Sequence, residues 1–296
     1  MRSWNSRVAD IEVRGVRFNV MRMGKGVPTV VFVHGLLIDN HASFYMSIAP
    51  ALSKHASVVL YDLRGHGNSG QPPSGYGTDD MAADLAGILD ALELRDQRVI
   101  VVGHSFGGSI ALRFAVRYPG RVRGLALLEA LPDVAQFGRQ MAGTLELTGA
   151  DRDRKLQELF GHWLAKHTTR GQIDFDALDP GELDRDGRAT LEKVARFKRR
   201  RASPMAETAK RLRDETSLIR DLAATTDVGD DALSRITCPV LALYGEHSDL
   251  RGDGERLAGR LPQCRLEIVP GCAHGILFQA TERVRSSLLA WMAEIG

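Results

Sequence analysis

At 296 residues and 44% hydrophobic, the chain is long enough for one large α/β domain, or for a core with an inserted subdomain, around a sizeable buried interior. A net charge of +2, with no Lys/Arg cluster interleaved with aromatics, excludes nucleic acid as the main partner. Three cysteines, Cys238, Cys264 and Cys272, form no CxxC pair and leave an odd thiol, and no apolar run of membrane-spanning length occurs, so the reading is a soluble, cytoplasmic protein of bacterial, Arg-rich composition.

In chain order, Ile11 to Met21 alternates apolar and polar around Arg14-Gly15, the pattern of an antiparallel hairpin with one wet face. Short buried-type runs follow at Thr29–Val33, Ser57–Tyr61, Arg98–Val102, Leu125–Leu128, Val240–Tyr244 and Leu266–Val269. Helical patterns at Asp80–Leu92, Ser109–Tyr118 and Glu282–Ile295 lie between or after them. That alternation predicts an α/β fold with a mostly parallel sheet covered on both faces. Between Leu131 and Ile236 the rhythm stops and only charged helical stretches remain. The predicted organisation is therefore a core of residues 1–131 and 236–296 with a helical lid inserted over 132–235. Inside the insertion Phe160, Trp163 and Leu164 fall at i, i+3 and i+4, both as the lid's own small core and as an apolar roof that would contact substrate. An acidic loop from Asp174 to Asp186 and a basic run from Lys193 to Arg201 read as charges offsetting each other on a solvated face, with docking of an acidic partner as the alternative.

Chemistry concentrates in Val99-Ile100-Val101-Val102-Gly103-His104-Ser105-Phe106-Gly107-Gly108, an apolar strand that breaks at Gly-His-Ser-Phe-Gly into a helical pattern. This is a nucleophile elbow: a strained strand-to-helix turn, with glycines where side chains would collide, lifts the Ser105 hydroxyl clear of the sheet. A serine hydroxyl needs a base, and His274, in Pro270-Gly271-Cys272-Ala273-His274-Gly275 after the last apolar strand, is the histidine in the right context. The N–H groups of Leu36, in Val33-His34-Gly35-Leu36, and of Phe106 are the expected oxyanion donors, with His34 beside them as a loop-ordering or substrate-contacting residue.

These motifs, with Asp62-Leu63-Arg64-Gly65-His66-Gly67-Asn68-Ser69 and the run from Cys238-Pro239-Val240 to Tyr244-Gly245-Glu246, resemble the lid-bearing α/β-hydrolases over nearly the whole chain outside the lid. The resemblance implies an eight-stranded mostly parallel sheet, a lid after strand six, and a triad in the order nucleophile, acid, histidine. In the family the acid usually follows strand seven in a Gly-x-x-Asp turn, but here Gly245-Glu246-His247-Ser248-Asp249 puts serine at that place and Asp249 one residue late. Haloalkane dehalogenases and certain lipases carry the acid after strand six instead, where this chain has Glu129. Both Glu129 and Asp249 stay open as the acid, and the reading leans to Glu129 because Ser248 occupies the family's usual acid position while Glu129 stands at the alternative one after strand six.

Gly65-His66-Gly67-Asn68-Ser69-Gly70 matches GxGxxG, yet Gln71-Pro72-Pro73 follows where a dinucleotide site needs a helix. His34, His66 and His104 sit at three strand ends but lack metal-ligand spacing, so the motifs call for no metal and no cofactor. The functional expectation is acyl-enzyme hydrolysis of an ester, lactone or thioester with an apolar acyl part. A similarity to hydrolases of bacterial natural-product pathways implies a small-molecule substrate that can also arrive on an acyl carrier protein. Hydrolysis of a C–C bond, cofactor-free perhydrolysis on the same triad, and a receptor-like ligand binder on the same fold are the alternatives.

Overall fold

The computed structural model describes residues 7–37, 39–146, 168–169, 172–173, 208 and 210–296. The chain starts with a hairpin of β1 (Arg7–Val13) and β2 (Val16–Met23). Its two-residue turn, Arg14-Gly15, has φ of 52° and 73°, the doubly left-handed turn that matches the twist of paired strands. Then come β3 (Thr29–Val33), the short helices α1 (Ala42–Met46) and α2 (Ala49–Leu52), β4 (Ser57–Tyr61), α3 (Thr78–Ala91), β5 (Val99–His104), α4 (Phe106–Arg117) and β6 (Val122–Leu128). After the insertion, whose described helices are α5 (Val134–Glu146), α6 (Leu218–Ala223) and α7 (Asp230–Leu233), the core is completed by β7 (Val240–Gly245), α8 (Arg251–Ala258), β8 (Cys264–Val269), α9 (Ile276–Gln279) and α10 (Thr281–Glu294).

The strands form one eight-stranded sheet, the number the family resemblance implied, and its order is β1-β2-β4-β3-β5-β6-β7-β8. The first hairpin is antiparallel and β2 meets β4 antiparallel, while β4 through β8 are joined by parallel pairs. Parallel strands sandwiched between helices must be apolar on both faces, and β3, β4 and β5 are buried at every residue. Alternation sorts their side chains: Val31, Val33, Val99 and Val101 join Leu85 of α3 and Phe114 of α4 in one core. Val30, Phe32, Ile100 and Val102 join Phe44 of α1, Leu52 of α2 and Trp291 of α10 in the other.

Within the insertion a two-residue antiparallel ladder, Thr168–Thr169 with Gln172–Ile173, departs from the expectation of helix alone. The α6 end is pinned to the core by Asp221, whose Oδ2 accepts the N–H groups of Gly75 and Tyr76, each at 3.0 Å. Phe160, Trp163 and Leu164, the expected substrate contacts, lie outside the described residues. Among the described residues no helix is long and apolar enough to cross a membrane.

Candidate active site

Ser105 stands between β5 and α4 with φ 53° and ψ −122°, a backbone conformation that non-glycine residues rarely occupy and that surroundings must enforce. The enforcement is visible. The Ser105 N–H donates to the Leu128 carbonyl at 2.9 Å, and its carbonyl accepts from Gly108 at 2.9 Å and Leu131 at 3.2 Å, so the turn is stitched to the end of β6. Close backbone approach supplies the rest: a methyl group on Gly107 would overlap the Val33 carbonyl, and one on Gly103 would overlap the Gly107 carbonyl. Only glycine fits at either place.

From the end of β8 the Pro270–Gly275 loop brings His274 over the elbow. Its Nε2 lies 3.2 Å from Ser105 Oγ and its Nδ1 3.2 Å from Glu129 Oε2. Glu129 is fully buried, directly after β6, and itself left-handed at φ 51°. A buried carboxylate must be matched by donors. Gly245 N–H donates to Oε1, the Ser248 hydroxyl donates to Oε2, and His274 Nδ1 faces the same Oε2. Ser248 also accepts the Leu250 N–H at 3.1 Å, which orients its hydroxyl. The two places where the sequence could have put an acid thus meet in space: β6 supplies the carboxylate and the turn after β7 supplies the hydroxyl that holds it. An aspartate at 248 would press a second carboxylate against Glu129. Asp249, the other candidate, is exposed on that turn, with no hydrogen bond or ion pair to any described residue, so the structure brings Glu129 and not Asp249 to His274.

The donors expected for an oxyanion flank Ser105. Phe106 is the first residue of α4, so its N–H has no intrahelical acceptor and lies at the positive end of a 12-residue helix. Leu36, half-buried, follows Gly35, where a methyl group would lie 3.5 Å from Ser105 Cβ. His34, read from sequence partly as a substrate contact, is corrected by its surroundings. It is fully buried, its Nδ1 is 2.7 Å from the Gly35 carbonyl and its Nε2 accepts the Leu63 N–H at 2.9 Å, so both ring nitrogens are spent on ordering loops.

One charged group beside the site escaped the sequence reading. Asp39 accepts the Gly35 N–H at 2.8 Å, and its Oδ2 is 3.7 Å from Nδ1 of His104, whose ring centroid is 5.4 Å from that of His274. Burial opposes its ionisation, but His104, His34 and the Ser43 hydroxyl outweigh burial and hold the carboxyl well below the usual carboxylate range. The only sequence signal was an acid four residues beyond His34-Gly35 in a loop, which does not distinguish a site residue from a turn former. The glycine pattern after β4 resolves as a folded-back loop, with Gly65 at φ 75°, Gly67 at φ 53°, and the Asn68 N–H on Asp62 at 2.9 Å.

Comparison with known proteins agrees with this architecture. Over 120 residues, 40% of this chain and 42% of that relative, the chain is 45% identical to 2-hydroxy-6-oxo-2,4-heptadienoate hydrolase of Pseudomonas putida; it thus spans less than half of that protein. It is 30% identical to the non-heme chloroperoxidase of Streptomyces lividans over 278 residues, 90% of this chain and 92% of that one. A thermophilic esterase from Thermogutta terrifontis superimposes with a TM-score of 0.72 at 22% identity, covering 98% of this chain and 99% of the other, a likeness of fold. The model of the α/β hydrolase fold matches residues 28–281, the span that holds the elbow, Glu129 and His274 alike, and the chain belongs to that family.

Proposed function

We propose that the protein is a cytoplasmic serine hydrolase that cleaves an ester, lactone or thioester with an apolar acyl part through an acyl-enzyme on Ser105. The observation that carries this is the unbroken chain from Ser105 Oγ to His274 to Glu129, with 3.2 Å at each histidine nitrogen. Glu129 accepts the Nδ1–H, which leaves the Nε2 lone pair aimed at the serine hydroxyl. Ser105 Oγ attacks the carbonyl carbon as its proton passes to His274 Nε2. The oxyanion is held by the N–H groups of Leu36 and Phe106, and collapse expels the alcohol or thiol, which takes the proton back from His274. Water, deprotonated by the same nitrogen, then releases the acid.

The apolar acyl part rests on the sequence of the insertion, where Phe160, Trp163 and Leu164 share a helical spacing. An acyl carrier protein is the proposed macromolecular partner when the substrate is a thioester. The cytoplasmic placement rests on free thiols, two of which, Cys238 and Cys264, are pushed up to about 11 by burial and so stay protonated. A second reading, hydrolysis of a C–C bond beside a carbonyl, is favoured by the 45% identity with the heptadienoate hydrolase.

The test is a fluorophosphonate label followed by a substrate panel. Ser105 should carry the label, and Ser105→Ala should lose both label and turnover, the latter by roughly 10⁴ to 10⁶ in kcat. Acyl esters of graded length, an acyl thioester and a dienone with a cleavable C–C bond then compete on kcat/KM. Faster ester or thioester cleavage supports the reading; a preferred dienone replaces it with the second, and no label with no turnover replaces it with a ligand-binding protein.

A further inference from the structure

Two histidines lock the loops after β3 and β4 onto each other by reciprocal contacts. His34, at the end of β3, accepts the Leu63 N–H from the second loop on its Nε2 at 2.9 Å, and His66, in the second loop, accepts the Leu37 N–H from the first on its own Nε2, also at 2.9 Å. In each ring Nδ1 faces a backbone carbonyl, Gly35 at 2.7 Å for His34 and Arg64 at 2.8 Å for His66. A carbonyl only accepts, so Nδ1 carries the hydrogen and Nε2 the lone pair in both rings. The rings meet edge to face with centroids 5.3 Å apart, each at most 1% exposed. The second loop is itself anchored, since the Arg64 guanidinium grips Asp84 of α3 through Nε at 2.6 Å and a terminal nitrogen at 2.7 Å.

The contact from His66 falls on a strained residue. Leu37 is left-handed at φ 63°, a conformation a leucine keeps only when its neighbours impose it. It also settles which amide of the loop is free. Gly35 donates to Asp39 and Leu37 to His66, whereas the Leu36 N–H between them has no acceptor among the described residues.

We propose that His66 is a positioning residue for the oxyanion hole: by accepting the Leu37 N–H it fixes the left-handed turn that keeps the Leu36 N–H directed at the carbonyl bound on Ser105. This rests on the reading of Ser105 as the acylated nucleophile. His66 touches no substrate; it acts through one peptide group, and its effect belongs to the transition state, where charge reaches the oxygen, more than to substrate binding.

The experiment compares His66→Leu, which has no acceptor, His66→Gln, whose side-chain carbonyl can reach where Nε2 stood, and His66→Asn, whose carbonyl falls short. Each is assayed for kcat and KM on an activated ester and for inhibition by an alkyl trifluoromethyl ketone, whose adduct with Ser105 places an oxyanion in the hole. His66→Leu and His66→Asn should lose about ten- to a hundredfold in kcat with KM within about threefold, and bind the ketone more weakly by a similar factor; His66→Gln should recover to within about threefold. If His66→Leu does not fold, the Asn and Gln pair carries the test. A folded Leu or Asn variant with the parent kcat and ketone affinity overturns the proposal, as does an equal loss in Gln and Asn. A Ser105→Ala control that stays active condemns the hydrolase reading instead, which keeps the two failures apart.

Discussion

As a fully buried carboxylate at φ 51°, Glu129 is costly twice, in desolvation and in backbone strain. Gly245, Ser248 and His274 offset the first cost, and the Glu129 N–H on the Leu243 carbonyl at 2.9 Å fixes the second. Glu129→Gln keeps the shape and the contact from Gly245, but turns an NH₂ toward groups that need an acceptor. The histidine then loses the partner that sets its tautomer, and kcat on an activated ester should fall by roughly 10² to 10⁴ with the circular dichroism spectrum unchanged. Asp249→Asn, on the exposed turn, should stay within about twofold of the parent. A large loss at Asp249 with near-parent activity at Glu129 would reassign the acid.

The elbow works as an element because three strands clamp it: β5 enters it, Leu128 at the end of β6 accepts from it while Leu131 just beyond that strand donates to it, and β3 presses the Val33 carbonyl against Gly107. Backbone, unlike the end of a flexible side chain, cannot give way, so one added methyl at Gly107 has nowhere to go. Gly107→Ala should cost more than about 4 kcal/mol and yield aggregated or unfolded protein. Gly120, in the turn after α4, is the control, for a methyl there meets nothing within 4 Å and its φ is not positive. Gly120→Ala should be neutral or stabilising by up to about 1 kcal/mol, read from thermal unfolding of both variants side by side. This element was fully legible in the sequence, since Gly-His-Ser-Phe-Gly after a β-branched run has few other foldings. The Asp39 and His104 pair was not, because its members are 65 positions apart and are joined only when β3 and β5 pair.

Across the whole molecule, both sheet faces are covered, and at the strand ends where the site lies His34, Asp62, His66, His104 and Glu129 are all buried. That arrangement carries an acid liability. Burial lowers His66 to about 4 from its ordinary 6.5, and burial likewise lowers His34. Between about pH 6.5 and 4 the unfolded chain holds the proton that folded His66 refuses, so stability is complete above that window and falls with acidification. From pH 7 to pH 5 the loss from His66 alone should be about 2 kcal/mol, measured by urea unfolding at each pH, and His66→Gln should flatten the dependence. An unchanged midpoint across that range would refute it. Local pattern alone determined the hairpin, the buried strands, the elbow and the candidate base, because periodicity, turn chemistry and glycine placement act within a few residues of each other. It determined the sheet class too, since helices between apolar strands leave few other ways to cover both faces. Only the tertiary structure decided between Glu129 and Asp249, turned His34 inward, and joined the loops after β3 and β4 through His66. Those outcomes depend on which groups meet across strands far apart in sequence, and on which buried charge finds donors there.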